Sequence, residues 1–234
     1  MTHLFVLFPL LVILIIVAIR LYRKHPEETS FYYFRNFFVI WSLCTLAIGV
    51  AETTIGTPYA KSMALSFAVP FLYVASAYLI RLPFAMYGRG STISVILMVF
   101  VITAGGLFGA TTFVGANKLI TTLGPLQGLF EHLSANLTQY RIWSTLAIFV
   151  PIGLFFYYEA ARSQVFHNRL RSIFVGSGFI VAGVSEYFHI IEKHAAGADI
   201  YTVLGFFLVT FGLFYPLWKP QVTATSSQNY PLGK

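Results

Sequence analysis

The residues best suited to chemistry lie near the ends of two apolar segments. Glu186 and His189 are three residues apart in GVSEYFHIIEKH, and Glu52 follows the apolar run IWSLCTLAIGVA. Side chains three apart share one face of a helix, so Glu186 and His189 can act together. A Glu-x-x-His pair joined by a carboxylate from a second helix binds iron, manganese or zinc in helical bundles.

Three interpretations of this group stay open. The first is a divalent metal site formed by Glu52, Glu186 and His189. The second is a structural, hydrogen-bonded Glu–His pair at the end of a helix. The third is a ligand or proton-coupling site, because ionisable groups within a membrane are costly and face a bundle interior or a wet cavity. We expect the three side chains to face one shared cavity that opens outward.

Aromatic and hydroxyl side chains on two neighbouring segments add to this candidate site. Trp41 begins a stripe on the second apolar segment that ends at Glu52, and Ser66 and Tyr73 share a stripe on the third. Small and hydroxylated residues in such stripes are typical of close packing between membrane helices. The same stripe can also line a pocket. We therefore predict that Trp41, Ser66 and Tyr73 contribute to a ligand-binding site.

The elements that position these residues are predicted to be membrane-spanning helices. The chain has 234 residues, of which 57% are hydrophobic and 10% are charged. Soluble domains carry about 25% charged residues, so this composition excludes one. Apolar runs of about 18 or more residues recur along the chain, and each can cross a bilayer. The predicted fold class is an all-α, polytopic membrane protein. Its single Cys44 cannot form an intrachain disulfide.

Seven membrane-spanning helices are predicted, with ends placed to within about 3 residues. They cover about 4–20, 32–51, 60–80, 92–111, 141–158, 172–191 and 200–217. In the loop after the fourth span, the leucines of GPLQGLFEHLSANLTQY recur on one face, which predicts an amphipathic interfacial helix over about 125–139. The transmembrane domain thus covers 1–219, and 220–234 form a polar cytoplasmic tail.

The basic residues set the orientation of this bundle. The chain has 15 Lys and Arg. With the N-terminus outside, eleven of them fall on the inner side and four on the outer side. Because Lys and Arg concentrate in cytoplasmic loops, the N-terminus is predicted outside and the C-terminus in the cytoplasm. The net charge of +7 then faces an anionic leaflet. The basic residues form no continuous stripe, so a nucleic-acid partner is not expected.

Several activities are disfavoured by what the sequence lacks. No Lys lies in the middle of the seventh segment, where a retinal Schiff base would need one. Only His189 approaches an intramembrane position, so a haem bound by two histidines is disfavoured. No Walker motif, H-E-x-x-H or nucleophile elbow is present.

The function predicted from these observations is a non-enzymatic module in the plasma membrane of a prokaryotic cell. It would be a sensor or ligand-binding component, or an integral subunit of a larger membrane complex. Its expected partners are the lipid bilayer and other membrane subunits or a signalling protein at the cytoplasmic face. The alternative is an outward-facing metal-dependent or proton-coupled oxidoreductase, hydrolase or transporter that uses Glu52, Glu186 and His189.

Overall fold

The computed structural model describes residues 12–20, 23, 29–54, 58–88, 91–116, 124–191 and 195–215. Within these ranges the chain is all-helical and has no strand. Its helices are α1 (12–20), α2 (Thr29–Thr54), α3 (Pro58–Met86), α4 (Ser91–Ala116), α5 (Gln127–Arg162), α6 (Phe166–Ile191) and α7 (Ala195–Phe214). A 3-10 turn, Gly124–Leu126, precedes α5.

Three helices are long and apolar enough to cross a membrane. Among the described residues, the three stretches are Ser66–Met86, Thr92–Gly115 and Gly124–Arg162. Helix α4 leaves large apolar side chains outside the protein, including Phe100 at 70% and Ile96 at 61% exposure. Contiguous exposed apolar surface is unusual on soluble monomers and is typical of contact with a membrane. The prediction of a helical membrane protein is therefore confirmed.

Helix α5 differs from the prediction. The sequence predicted an interfacial helix over about 125–139 and a separate span over 141–158, whereas the structure has one helix of 36 residues, Gln127–Arg162. The predicted break near residue 140 is wrong. The reason is local: Gln139, Tyr140 and Arg141 include neither Gly nor Pro, so nothing interrupts the backbone hydrogen bonds there. Leu137 and Tyr140 pack against the core from this helix.

The core lies where α2, α5, α6 and α7 meet, and aromatic rings fill it. Phe37 and Phe179 are fully buried and their ring centroids lie 6.2 Å apart. The Trp41 ring lies 5.2 Å from that of Phe206 on α7 and 5.8 Å from that of Phe149 on α5. Aromatic pairs at such separations add to the stability gained from packing alone.

Glycines bring α6 and α7 into close contact. A Cβ added at Gly178 would lie 2.5 Å from the carbonyl oxygen of Gly205, and one added at Gly205 would lie 2.7 Å from the backbone nitrogen of Ala182. Similar contacts join α3 to α4, where a Cβ at Gly109 would lie 2.5 Å from the carbonyl oxygen of Ser66. Small residues at these positions let the helix backbones approach closely. By contrast, α4 makes few contacts with α5.

Contacts between side chains define the two ends of the bundle. Tyr87, just after α3, bonds to Glu159 near the end of α5, and Phe34 near the start of α2 contacts Phe156. We call this the Arg162 end, after the last residue of α5. We call the opposite end, where α6 finishes, the Ile191 end.

Candidate functional site

A cavity of about 80 Å³ lies inside the bundle, between α2, α3, α5, α6 and α7. We call it the core cavity. Its walls combine aromatic rings with hydroxyl groups and a guanidinium: Trp41, Tyr73, Ser76, Arg141, Thr145 and Ser185. A space of this size holds roughly two or three water molecules. It suits a small polar ligand or the polar head of a larger one.

Two of the residues predicted to bind a ligand line the core cavity and are held firmly there. Trp41 is positioned by the rings of Phe149 and Phe206. Tyr73 is buried, and its side chain occupies the space that a Cβ at Gly105 of α4 would need. Its hydroxyl lies 2.5 Å from the Ser144 hydroxyl on α5. Side chains fixed by packing and hydrogen bonds present a preformed binding surface.

Hydroxyl groups from α6 and α7 meet at the opposite wall of the core cavity. The Ser185 hydroxyl donates to the Ala182 carbonyl at 2.6 Å and lies 2.8 Å from the Thr202 hydroxyl. On α3, Ser76 donates to the Leu72 carbonyl at 2.9 Å. Each hydroxyl has two acceptor lone pairs as well as its proton. The wall can therefore accept hydrogen bonds from a ligand without giving up these contacts.

Ser66 occupies a different place from Trp41 and Tyr73. It is buried, and the carbonyl oxygen of its backbone lies where a Cβ at Gly109 would stand. Ser66 therefore lies in the packing seam between α3 and α4 and does not line the core cavity. The stripe on α3 thus serves both uses considered from the sequence, since Tyr73 packs against α4 and also lines the cavity.

The acidic and histidine candidates belong to helix ends. Glu52 is in the last turn of α2, and Glu186 and His189 are in the last two turns of α6. Their side chains lie outside the part of the chain that the structure describes. The shared cavity and the metal site built on these residues therefore stay predictions. Glu186 directly follows Ser185, which lines the core cavity.

No group of three or more His, Cys, Asp or Glu side chains among the described residues is arranged to bind a metal ion. The exposed pair on α5, Glu131 and His132, has local partners instead. Glu131 accepts a hydrogen bond of 2.8 Å from Gln127, and the His132 Nε2 lies 2.8 Å from the Tyr140 hydroxyl. These contacts stay within one helix and give the pair a structural role.

A larger pocket lies at the Arg162 end and was not predicted from the sequence. Its volume is about 480 Å³, and its lining includes Tyr87, Glu159, Arg162 and Arg171. Tyr87 donates a short hydrogen bond to the Glu159 carboxylate and accepts one of 3.3 Å from Arg162. The bond to Glu159 raises the pKa of the Tyr87 hydroxyl above its ordinary value. The E-x-x-R spacing of Glu159 and Arg162 marks one helix face, but nothing in the sequence pairs that face with Tyr87.

Comparison with known proteins does not assign this arrangement to a class. No protein family model matches the chain, and neither the curated proteins nor the solved structures gave a match.

Proposed function

We propose that the chain is a non-enzymatic sensor component of a membrane, with its ligand bound in the core cavity. The observation that carries the proposal is the meeting of Trp41, Tyr73, Arg141 and Ser185 from four helices around one internal space. Mostly apolar walls with a few well-placed polar groups are typical of small-molecule sites between helices.

Helix α5 is the element suited to transmit binding. Thr145 and Ile148 line the core cavity, and Glu159 and Arg162 of the same helix line the pocket at the Arg162 end. A helix of 36 residues is roughly 54 Å long, so a small rotation at the cavity reaches both ends. Pro151 lies between the two pockets. It has no backbone N–H to donate to the Ala147 carbonyl, which makes this turn a natural hinge.

The proposed topology has seven spans, with the N-terminus outside and the Arg162 end in the cytoplasm. The excess of Lys and Arg in the connections at that end supports this orientation. The pocket at the Arg162 end would then face a cytoplasmic partner. We expect a reporter fused after Lys234 to be cytoplasmic and one inserted at Gly124 to be extracytoplasmic. If both reporters are found on the same side of the membrane, the predicted number of spans is wrong.

The sensor proposal is tested without knowing the ligand, by attaching an occupant to the cavity wall. Ser76→Cys is made in a Cys44→Ser background and alkylated with iodoacetamide, which places a small adduct in the core cavity. Hydrogen–deuterium exchange is then measured over residues 163–171, at the connection between α5 and α6. We expect at least a threefold change in exchange rate at this connection, because the adduct displaces the walls to which α5 contributes.

The matched control is Ala110→Cys in the same background, since Ala110 is exposed on α4 and does not line the core cavity. Its adduct should leave exchange at 163–171 unchanged. Equal exchange for the Ser76→Cys protein with and without its adduct would contradict signal transmission. Metal analysis of the same protein tests the alternative function. Stoichiometric metal that is lost in both Glu186→Gln and His189→Ala would favour the metal-dependent protein over the sensor.

A further inference from the structure

A second cavity, of about 440 Å³, lies between α3, α4 and α5. We call it the lateral cleft. Among the described residues, these three helices carry the membrane-length apolar stretches. The cleft is lined by apolar side chains apart from the hydroxyls of Tyr73 and Ser144. Leu97 and Phe100 on its rim are exposed, at 40% and 70%. The lateral cleft therefore opens toward the hydrocarbon of the membrane.

The lateral cleft and the core cavity share a wall. Tyr73 and Ile148 line both spaces, so their side chains form part of the wall between the apolar cleft and the polar interior. The bond of 2.5 Å between the Tyr73 and Ser144 hydroxyls fastens this wall across α3 and α5. A hydroxyl pair can exchange its mutual bond for bonds to a ligand at little net cost. The wall can therefore open when a ligand supplies the replacement.

The polarities of the lateral cleft and of the core cavity indicate which kind of ligand would occupy both. The lateral cleft offers room for an apolar chain, and its volume is within the range of roughly 300–1,000 Å³ found for small-molecule pockets. The core cavity has room only for a small head. The Ser76 and Ser185 hydroxyls donate to backbone carbonyls. The donors on its wall that suit an anionic head are therefore the Arg141 guanidinium and the Tyr73 hydroxyl. A guanidinium favours a carboxylate, which it can bind through two parallel hydrogen bonds.

We propose that a long-chain carboxylic acid from the bilayer binds with its chain in the lateral cleft and its carboxylate in the core cavity near Arg141. This inference rests on the proposed function and names the ligand class and its route. The acid reaches the site sideways, between α4 and α5, and its carboxylate replaces the Tyr73–Ser144 bond. Charge complementarity with Arg141 and the apolar lining of the cleft favour this ligand over a neutral polar solute.

The experiment uses delipidated protein in detergent and hexadecanoic acid carrying a diazirine in the middle of its chain. After illumination, the labelled residues are mapped by mass spectrometry, and affinity is measured by competition with unlabelled hexadecanoic acid. We expect labels on the cleft walls of α3, α4 and α5. The methyl ester of the same acid should compete at least tenfold more weakly, since it lacks the charge.

Two variants block the cleft from opposite walls. Ala147→Trp on α5 and Leu97→Trp on α4 both fill its mouth, and each should lower labelling at least tenfold. Ala110→Trp is the control, because it adds the same exposed bulk to α4 outside the cleft. Arg141→Gln should weaken binding of the acid at least fivefold and leave binding of the methyl ester unchanged.

The possible failures are distinguishable. If the acid binds equally to the wild type and to both cleft-blocked variants, lateral access is overturned, while a ligand in the core cavity is still allowed. If neither the acid nor its ester labels the cleft, the ligand class is overturned, and the alkylation of Ser76→Cys still decides the sensor function. If Arg141→Gln weakens acid and ester alike, the assigned position of the carboxylate is wrong.

Discussion

Helices α6 and α7 pack in close contact, whereas a cleft separates α4 from α5 in the same bundle. Between α6 and α7, Gly178 and Gly205 bring the backbones so close that neither position has space for a methyl group. Between α4 and α5 lies the lateral cleft of about 440 Å³. Each of the two pairs nevertheless combines a strongly apolar helix, α4 or α7, with a less apolar one, α5 or α6. Hydrophobicity does not explain why one pair of helices packs closely and the other does not, because lipid solvates apolar side chains as well as a protein does.

The two regions also differ in the contacts that hold their helices together. In a membrane, helices stay together through close packing and interhelical hydrogen bonds. The α6–α7 side has both, since Ser185 and Thr202 add a hydroxyl pair to the glycine contacts. Across the lateral cleft, α5 is joined to α3 by Tyr73–Ser144 and Tyr87–Glu159. The α6–α7 side is thus the more closely packed one, and in the proposal above the ligand enters on the cleft side.

The largest effect is expected from a bulky side chain in the α6–α7 contact. Gly178→Leu would place atoms against the Gly205 carbonyl, which is backbone and cannot turn away. We expect a loss of about 3 kcal/mol in unfolding free energy. Gly106→Leu is the control, because a Cβ there meets nothing within 4 Å. The stability of both variants is measured by heating them in detergent and recording the fraction of protein that stays monodisperse. Equal stability of the two variants would contradict the close packing of α6 on α7.

The same substitution should have opposite consequences in the two regions. Ala182 is 6% exposed and faces Gly205, so Ala182→Leu overpacks the contact and should cost about 2 kcal/mol. Ala104 lines the lateral cleft, so Ala104→Leu fills empty space and should be neutral or stabilising by up to about 1 kcal/mol. Denaturation of the two variants side by side makes the comparison. A cost for Ala104→Leu as large as that for Ala182→Leu would mean that the cleft is closed.

A smaller effect is expected from the hydroxyl pair that holds the cleft wall. Tyr73→Phe and Ser144→Ala each remove the same bond, so a double-mutant cycle should give a coupling energy of about 0.6 kcal/mol. The pair Tyr157–Ser177, at 2.7 Å between α5 and α6, is the reference. If Tyr73 gates the cleft, Tyr73→Phe should also increase labelling by the diazirine acid, and Tyr157→Phe should not. Equal labelling would leave the pair with a purely structural role.

The smallest effect concerns the second link between α3 and α5. Hydrogen bonding to Glu159 raises the pKa of Tyr87 above its ordinary value of 10.0. The stabilisation from this bond is therefore present below pH 10 and is lost as the pH rises through the raised pKa. The difference in phenolate absorbance between the wild type and Tyr87→Phe gives the pKa of Tyr87. Glu159→Gln should lower that pKa, and an unchanged titration would show that the bond does not persist in solution.

The sequence predicted features of a single helix better than features that depend on how several helices pack together. The chain is helical over 32–51, 60–80 and 92–111, within α2, α3 and α4, as the apolar runs there predicted. That all three of these helices cross the membrane stays a prediction. The break predicted near residue 140 failed because a change from amphipathic to apolar sequence does not by itself end a helix. Trp41 and Tyr73 were selected for their stripes, whereas Ser66, on the same stripe as Tyr73, lies in a packing seam.

The sequence by itself determined that the chain is a helical membrane protein, because hydropathy is a local property and backbone groups in lipid must bond within their own segment. It also selected Trp41 and Tyr73 as residues of interest. Only the tertiary structure decided that α4 stands away from α5, that Tyr73 separates two cavities, and that Tyr87 reaches Glu159. Those features depend on which helix faces pack together. The sequence of an apolar helix face does not show which other helix that face contacts.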